Sequence, residues 1–146
     1  MKVAIITDTH YGARKGSTHL HDYFQLFYDN VFFPTLEEQG IDTIIHMGDI
    51  FDSRKSIDYQ SLEWSKKVVF DPMRKYKVYA ITGNHDCYYK NTNYVNSPEL
   101  LLNDYSNIST FSKATEINID GLDILLLPWI NSENYENSIS LIKSSK

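Results

Sequence analysis

An α/β fold built around a mainly parallel sheet is what this sequence predicts. Three observations carry that prediction. Short β-branched runs lie at Val3–Thr7, Thr43–Met47 and Lys77–Thr82, longer amphipathic stretches separate them, and a polar cluster follows each run directly. Strands alternating with helical stretches are the pattern of β-α-β units around a parallel sheet. With 146 residues, 42% hydrophobic and 23% charged, the chain has the composition of one compact domain. At this length roughly two-thirds of the unfolded surface can be withdrawn from water, so a core is attainable without disulfides.

The elements follow in order. After the first strand comes a loop with Gly12 and Gly16, and Ser17 or Thr18 is placed to cap a helix with Leu20, Phe24, Phe27 and Val31 on its apolar face. Pro34 kinks that helix or starts a second, and Gly40 stops it. Beyond the second strand, Ser56 to Tyr76 reads as a helical region burying Leu62, Val69 and Phe70, with a break at Pro72. The third strand is followed by an Asn-containing loop from Tyr88, and Ser97-Pro98-Glu99 opens a short helix with Pro at its first position. Ile108–Phe111, Thr115–Ile119 and Leu122–Leu127 read as strands. Asp120-Gly121 between the last two is a hairpin signal. The sheet is therefore expected to turn from parallel to partly antiparallel. A last helix from Ser132 places Tyr135, Ile139 and Ile142 on one face.

Composition removes several function classes. Cys87 is the only cysteine, which excludes a disulfide framework or a Cys-rich zinc module and leads us to expect a reducing, intracellular setting. No apolar run approaches the ~18 residues of a membrane span, and the opening run is short for a secretory leader, so a cytoplasmic protein with no membrane partner is expected. Fourteen Lys+Arg against nineteen Asp+Glu give a net charge of −5, which argues against a general electrostatic grip on nucleic acid. A phosphate-bearing substrate must then meet a local positive feature, such as bound metal.

The polar clusters are Asp8-Thr9-His10, Gly48-Asp49-Ile50-Phe51-Asp52 and Gly83-Asn84-His85-Asp86. In an open α/β sheet the loops at the carboxyl ends of the strands converge on one crevice. Asp8 and His10 are two residues apart, and on an extended backbone their side chains face the same way. Gly48 and Gly83 free the backbone to turn and bring Asp49 and Asn84 up to a metal. Carboxylates, imidazole and an amide oxygen without a thiolate suit manganese, iron, magnesium or a catalytic zinc. The Asp49 carboxylate can bridge two ions, and ions ~4 Å apart clamp both oxygens of a phosphoryl displacement. Phosphate ester cleavage is the chemistry such a set serves.

His85 is placed to protonate the leaving oxygen or to stabilise charge on phosphorus, with Asp86 orienting it. Arg14, Lys15, Arg54 and Lys55 lie in loops after two of the clusters, within expected reach of substrate phosphates. Other polar residues take plainer readings. His19 and His21 read as solvated, His46 as a core or supporting histidine, Lys66-Lys67 and Arg74-Lys75 as the wet side of a helix. Tyr88 and Tyr89 read as packing and loop anchors rather than base-stacking groups. Gly12 to Ser17 lacks the Gly-Lys-Ser/Thr ending of a nucleotide loop.

Taken together, these clusters resemble the calcineurin-like metallophosphoesterase superfamily, whose pattern runs D-x-H, G-D-x-x-D, G-N-H-D/E, G-H and G-H-x-H. Three of the five blocks are present, at Asp8-His10, Gly48-Asp52 and Gly83-Asp86. The contexts Gly48 to Lys55, Ile81 to Asp86 and Leu125-Leu126-Leu127-Pro128-Trp129 are similar to the recombination and repair nucleases of the SbcD type, including the tailed-phage endonuclease subunits. The resemblance implies a four-layer α-β-β-α sandwich, of which this chain would supply the N-terminal part, a mainly parallel sheet with an antiparallel hairpin. It also implies two divalent metal ions, with manganese the preferred one. Asp8, His10 and Asp49 would hold the first, Asp49 would bridge, Asn84 would hold the second, and His85 would be the catalytic histidine. The implied work is nucleolytic processing of DNA with an SMC-like ATPase subunit, in the host cytoplasm for a phage-encoded chain. A homodimer is left open.

The remaining ligands of that family are histidines in later blocks, and no histidine follows His85 here. Residues 1–146 are therefore expected to form one metallophosphoesterase domain, C-terminally incomplete, that binds metal weakly and cuts poorly alone. Two alternatives stay open: a phosphatase or phosphodiesterase of the same superfamily, and a non-catalytic truncated subunit.

Overall fold

Four strands form a wholly parallel sheet in the order β1-β2-β3-β4 in the computed structural model, which describes residues 1–145. They are β1 (Ala4–Ile6), β2 (Thr43–His46), β3 (Lys77–Ile81) and β4 (Ile108–Phe111). Each is a run of β-branched and aromatic side chains, which pack well on a pleated surface. Alternation along the strands divides the apolar residues between two faces. Ile44, Val78 and Ala80 pack under the helices with Val69, Phe70 and Met73, while Ile45, Tyr79 and Ile81 pack against Ile119 and Leu126 of a hairpin. Covered on both sides, β2 is buried at every position.

The hairpin strands are β5 (Thr115–Ile119) and β6 (Leu122–Leu126), joined where Asp120 and Gly121 take φ of 50° and 87°. Two consecutive left-handed residues define the turn whose twist matches paired antiparallel strands. The hairpin is a separate two-stranded sheet lying on the first, so the expected conversion of one sheet to partly antiparallel is corrected: β4 joins in parallel, pairing Ile81 with Phe111.

Between β1 and β2 runs one helical stretch, made of α1 (Thr18–Phe27), a π turn (Tyr28–Phe32) and α2 (Phe33–Gln39). Gly40 ends it in a left-handed conformation, φ 63°, and Ile41 N–H donates to the Leu36 carbonyl. The buried positions are His21, Tyr28, Phe33 and Leu36, with Phe24 partly buried. Phe27 and Val31, expected to face the core, are exposed at 41% and 51%. Aromatic residues with polar tips displace them: the Tyr28 hydroxyl is bonded to that of Tyr11, and His21 stacks on Trp64 with ring centres 4.6 Å apart. The step of five from Tyr28 to Phe33 is the signature of the π turn, which shifts the face away from a 3.6-residue period. His21 is accordingly not a solvated residue.

Between β2 and β3 lie α3 (Tyr59–Ser65), a π turn (Lys66–Phe70) and a 3-10 turn (Pro72–Lys75). Asp58 caps α3 by accepting the Ser61 N–H at 2.9 Å. Short α4 (Ser97–Leu101) is capped by Asn96, whose oxygen accepts from Glu99 N–H. The last helix, α5 (Tyr135–Ser144), buries Ser138 and leaves Tyr135 and Ile142 exposed, so its inward face differs from the one the spacing predicts. Among the described residues no helix is long and apolar enough to cross a membrane.

Candidate metal centre

The loops leaving β1 and β2 stay zipped together past the ends of the strands. Asp8 N–H donates to Gly48 O at 3.1 Å, His10 N–H to Asp49 O at 3.0 Å and Tyr11 N–H to Ile50 O at 2.8 Å. The loop after β3 then closes on Asp49 because two glycines allow backbone to touch backbone. A Cβ on Gly48, φ 96°, would lie 2.8 Å from Gly83 Cα, and one on Gly83 would lie 2.1 Å from Asp49 Oδ1. For Gly83 the lack of a side chain serves this close approach, whereas Gly48 also needs its left-handed φ.

Asp8, His10 and Asp49 are themselves left-handed, with φ of 53°, 45° and 52°. Each such conformation costs a non-glycine residue roughly 1–3 kcal/mol and is retained where the surroundings over-determine it. The expected extended geometry of Asp8 and His10 is thus corrected. Their side chains do share one crevice, but successive left-handed turns bring them there.

Within that crevice His10 Nε2 lies 3.6 Å from Asp8 Oδ1 and 3.9 Å from Asp49 Oδ2. His10 Nδ1 lies 3.3 Å from Asp52 Oδ1, out of line for a hydrogen bond, and is otherwise buried without a partner. The His85 ring meets that of His10 edge to face, centres 4.9 Å apart. His85 N–H donates to Asp49 Oδ1 at 2.9 Å, and His85 Nδ1 is 2.8 Å from the Asp52 carbonyl oxygen. A carbonyl only accepts, so Nδ1 carries the proton and Nε2 is the free nitrogen. The Asn84 amide lies 3.0 and 3.2 Å from the two Asp49 oxygens; with its nitrogen inward it donates to them. Turned over, it adds a third oxygen to that face.

These donors fit a divalent cation. Asp8, His10 and Asp49 gather ligand atoms within 4.8 Å of one another, as do His10, Asp52 and His85. Charged oxygens facing each other with an unpartnered imidazole nitrogen among them are what a cation would satisfy. Thr7 donates to Asp8 Oδ2 at 2.6 Å, and this bond, with His10 nearby, holds the Asp8 carboxyl below its usual range and keeps it ionised. Cys87 is no ligand: it is buried, bonded to Gly83 O and Asn93 Oδ1, and burial pushes its thiol up to about 12. Asp52, outside the sequence-predicted set, is brought into the centre. Its place three residues after Asp49, in the same cluster, was the available signal.

Asp86 does not orient His85. It is wholly buried, with Oδ1 accepting from Phe51 N–H at 3.0 Å and Oδ2 from Gly83 N–H at 2.9 Å, so it fastens the loop after β2 to the loop after β3. Desolvation pushes its carboxyl up despite those bonds. The group on the His85 imidazole is the Asp52 carbonyl. His46 supports the same loops from beneath: Nδ1 accepts from Gly48 N–H at 3.2 Å, and Nε2 meets the Thr9 hydroxyl at 3.1 Å, which donates to Ile50 O. Burial pushes the His46 imidazole down to about 4, so it is neutral at physiological pH.

The cations divide. Arg54 donates to the carbonyls of Cys87 at 3.1 Å and Tyr89 at 3.4 Å and lies over Trp129, 5.0 Å from its ring centre, so it ties loops together. Lys55 is exposed beside the Tyr88 ring. Arg14 and Lys15 occupy a left-handed turn with exposed side chains and no hydrogen bond to the cluster.

A sheet whose carboxyl-end loops gather two histidines, three aspartates and an asparagine defines a class, and the chain belongs to it: it matches the calcineurin-like phosphoesterase family over residues 1–142. Among individual proteins, it is similar to Exonuclease subunit 1 of Enterobacteria phage T4, with 37% identity over 111 residues. That alignment covers 75% of this chain and 32% of the relative, so the chain spans about a third of the relative's length.

Proposed function

We propose that this chain is the catalytic part of a metal-dependent DNA nuclease subunit that hydrolyses phosphodiester bonds, acting in recombination and repair. The observation that supports it most is the meeting of Asp8, His10, Asp49, Asn84 and His85 in one crevice, from three loops far apart in sequence. Asp8, His10 Nε2 and Asp49 would hold one divalent cation, and Asp49 with the Asn84 amide oxygen a second. Such a pair, when bound, neutralises phosphate charge and lowers the pKa of water. Manganese suits this mixture of carboxylate, imidazole and amide ligands.

The chain's own residues do the rest. The Asp52 carboxylate beside His10 Nδ1 favours the tautomer that leaves Nε2 free to ligate, the usual arrangement behind a metal-bound histidine. The Asp52 carbonyl fixes His85 Nδ1–H, which leaves Nε2 as the nitrogen that would exchange a proton with the leaving oxygen. His46 and Asp86 hold the loops in register. The similarity to a phage exonuclease subunit supports DNA as the substrate, and the word subunit supports an assembly partner, which we propose to be an SMC-like ATPase.

The test is manganese-dependent digestion of linear duplex DNA beside a small phosphodiester. It uses this chain, its Asn84→Ala and His85→Ala variants, and a form extended through further histidine blocks. DNA cutting that needs manganese and falls by about 10²-fold or more in His85→Ala is expected, the extended form being the faster. Hydrolysis of the small ester alone would replace the nuclease by a phosphatase. Silence from every form would leave a non-catalytic scaffold.

A further inference from the structure

Between the loop after β2 and residues 88–101 lies a cavity of about 250 Å³. Its wall is apolar, made by Phe51, Ile57, Tyr88, Val95, Leu100 and Leu101. It adjoins the centre through the chain itself: Ser53 and Arg54 in its lining follow Asp52, and Tyr88 comes three residues after His85. Tyr88 and Tyr89 pack edge to face, centres 4.9 Å apart, yet remain 41% and 49% exposed, so packing does not account for them. Lys55 stands at the mouth, its ammonium 5.7 Å from the Tyr88 ring centre.

The buried polar side chain in the wall is already used. Asn96 donates to Asn93 O and Glu99 Oε2 at 2.9 Å each and accepts from Glu99 N–H. The cavity therefore offers an apolar slot, an aromatic face and a cation, with Ser53, Ser56 and Ser97 hydroxyls at its edge and its one buried amide already committed. Its volume falls below the roughly 300–1,000 Å³ of drug-sized sites, which limits it to about one ring system. A flat ring carried on a phosphate is the ligand that uses all of these features.

We propose that this slot receives one unstacked nucleobase of the DNA strand whose phosphodiester lies at the metal centre. Tyr88 is the stacking platform and Lys55 meets the adjacent phosphate. The inference rests on the nuclease reading and adds that the base beside the cut leaves the stack, without regard to its identity. With the chain at −5 overall, such a slot supplies the local affinity that net charge does not.

The test uses single-stranded oligonucleotides carrying 2-aminopurine, and matched strands with one abasic position, with wild type, Tyr88→Ala and Tyr88→Phe. Binding is read by 2-aminopurine fluorescence, cutting by gel in manganese, and manganese affinity serves as a check on the fold. Quenching on binding is expected. Tyr88→Ala should weaken binding by at least about fivefold with manganese affinity unchanged, Tyr88→Phe should restore it, and the abasic strand should be insensitive to the substitution. Equal binding and cutting of intact and abasic strands by wild type and Tyr88→Ala overturns the slot and leaves the nuclease standing. Absence of metal-dependent DNA cutting in every form, the extended chain included, overturns both.

Discussion

Asp49 and Asp86 belong to neighbouring loops and to clusters of similar composition, yet the fold uses them in opposite ways. Asp86 is wholly buried and both its oxygens are taken by backbone N–H groups, from Phe51 and Gly83. Asp49 gives one oxygen to His85 N–H and turns the other toward His10 Nε2 at 3.9 Å, with the Asn84 amide close by. What separates a ligand from a girder here is the number of lone pairs the backbone has already claimed. The same rule sorts the histidines. Both ring nitrogens of His46 are engaged by Gly48 and Thr9, whereas His10 Nδ1 lacks a hydrogen bond and His85 Nε2 is free.

Exchanging the two carboxylates for alanine should break the symmetry most visibly. Asp86→Ala strands the buried Phe51 N–H and the part-buried Gly83 N–H at about 1–3 kcal/mol each, so a loss of about 3 kcal/mol in urea unfolding is expected. Asp49→Ala should lose about 1 kcal/mol with its single backbone N–H partner, while manganese-dependent hydrolysis disappears. Equal destabilisation by the two substitutions would remove the distinction.

Much of this division lies below what residue type and spacing can express. The first three strands were legible because each is a β-branched run ending in a polar cluster, and convergence of the clusters follows from parallel strands; the parallel place of β4, which carries no such cluster, was not. The orientation of Asp8 and His10 was not, because both are left-handed, a conformation that their residue types do not announce. His21 was misread because its partner, Trp64, is 43 residues away on another helix. Phe27 and Val31 were misplaced because the pull of Tyr11 on Tyr28 and a π turn outweighed a regular period. Asp86 looked like a catalytic partner of the adjacent His85, whereas its real partners depend on how two loops cross.

The supporting histidine gives the comparison a pH axis. His46 is lowered from 6.5 to about 4 by burial, so below pH 6.5 the unfolded chain takes up a proton that the folded chain refuses. The stability present above pH 6.5 is therefore lost progressively as the pH falls toward 4, by on the order of 3 kcal/mol. Urea unfolding with a chelator present, to keep metal out of the balance, should show a shallower loss over that range in His46→Gln than in wild type. Parallel profiles would mean that His46 is not the buried neutral group on which the Gly48 and Thr9 loops rest.

Metal linkage separates the two carboxylates without any assay of catalysis. A cation that binds only the folded chain stabilises it by about 2.7 kcal/mol at one hundred times its dissociation constant. Manganese should raise the unfolding midpoint of wild type, and it should do so for Asp86→Ala from a lower baseline, since Asp86 is buried with both oxygens bonded to backbone and lies outside the ligand groups. Asp49→Ala should gain little, because the carboxylate shared by the His10 and Asn84 sides of the crevice is gone. A full manganese increment in Asp49→Ala would place the ion elsewhere. With Asp49 excluded, the remaining donor set is His10, Asp52 and His85, which would make Asp52 a direct ligand instead of the group that orients both histidines.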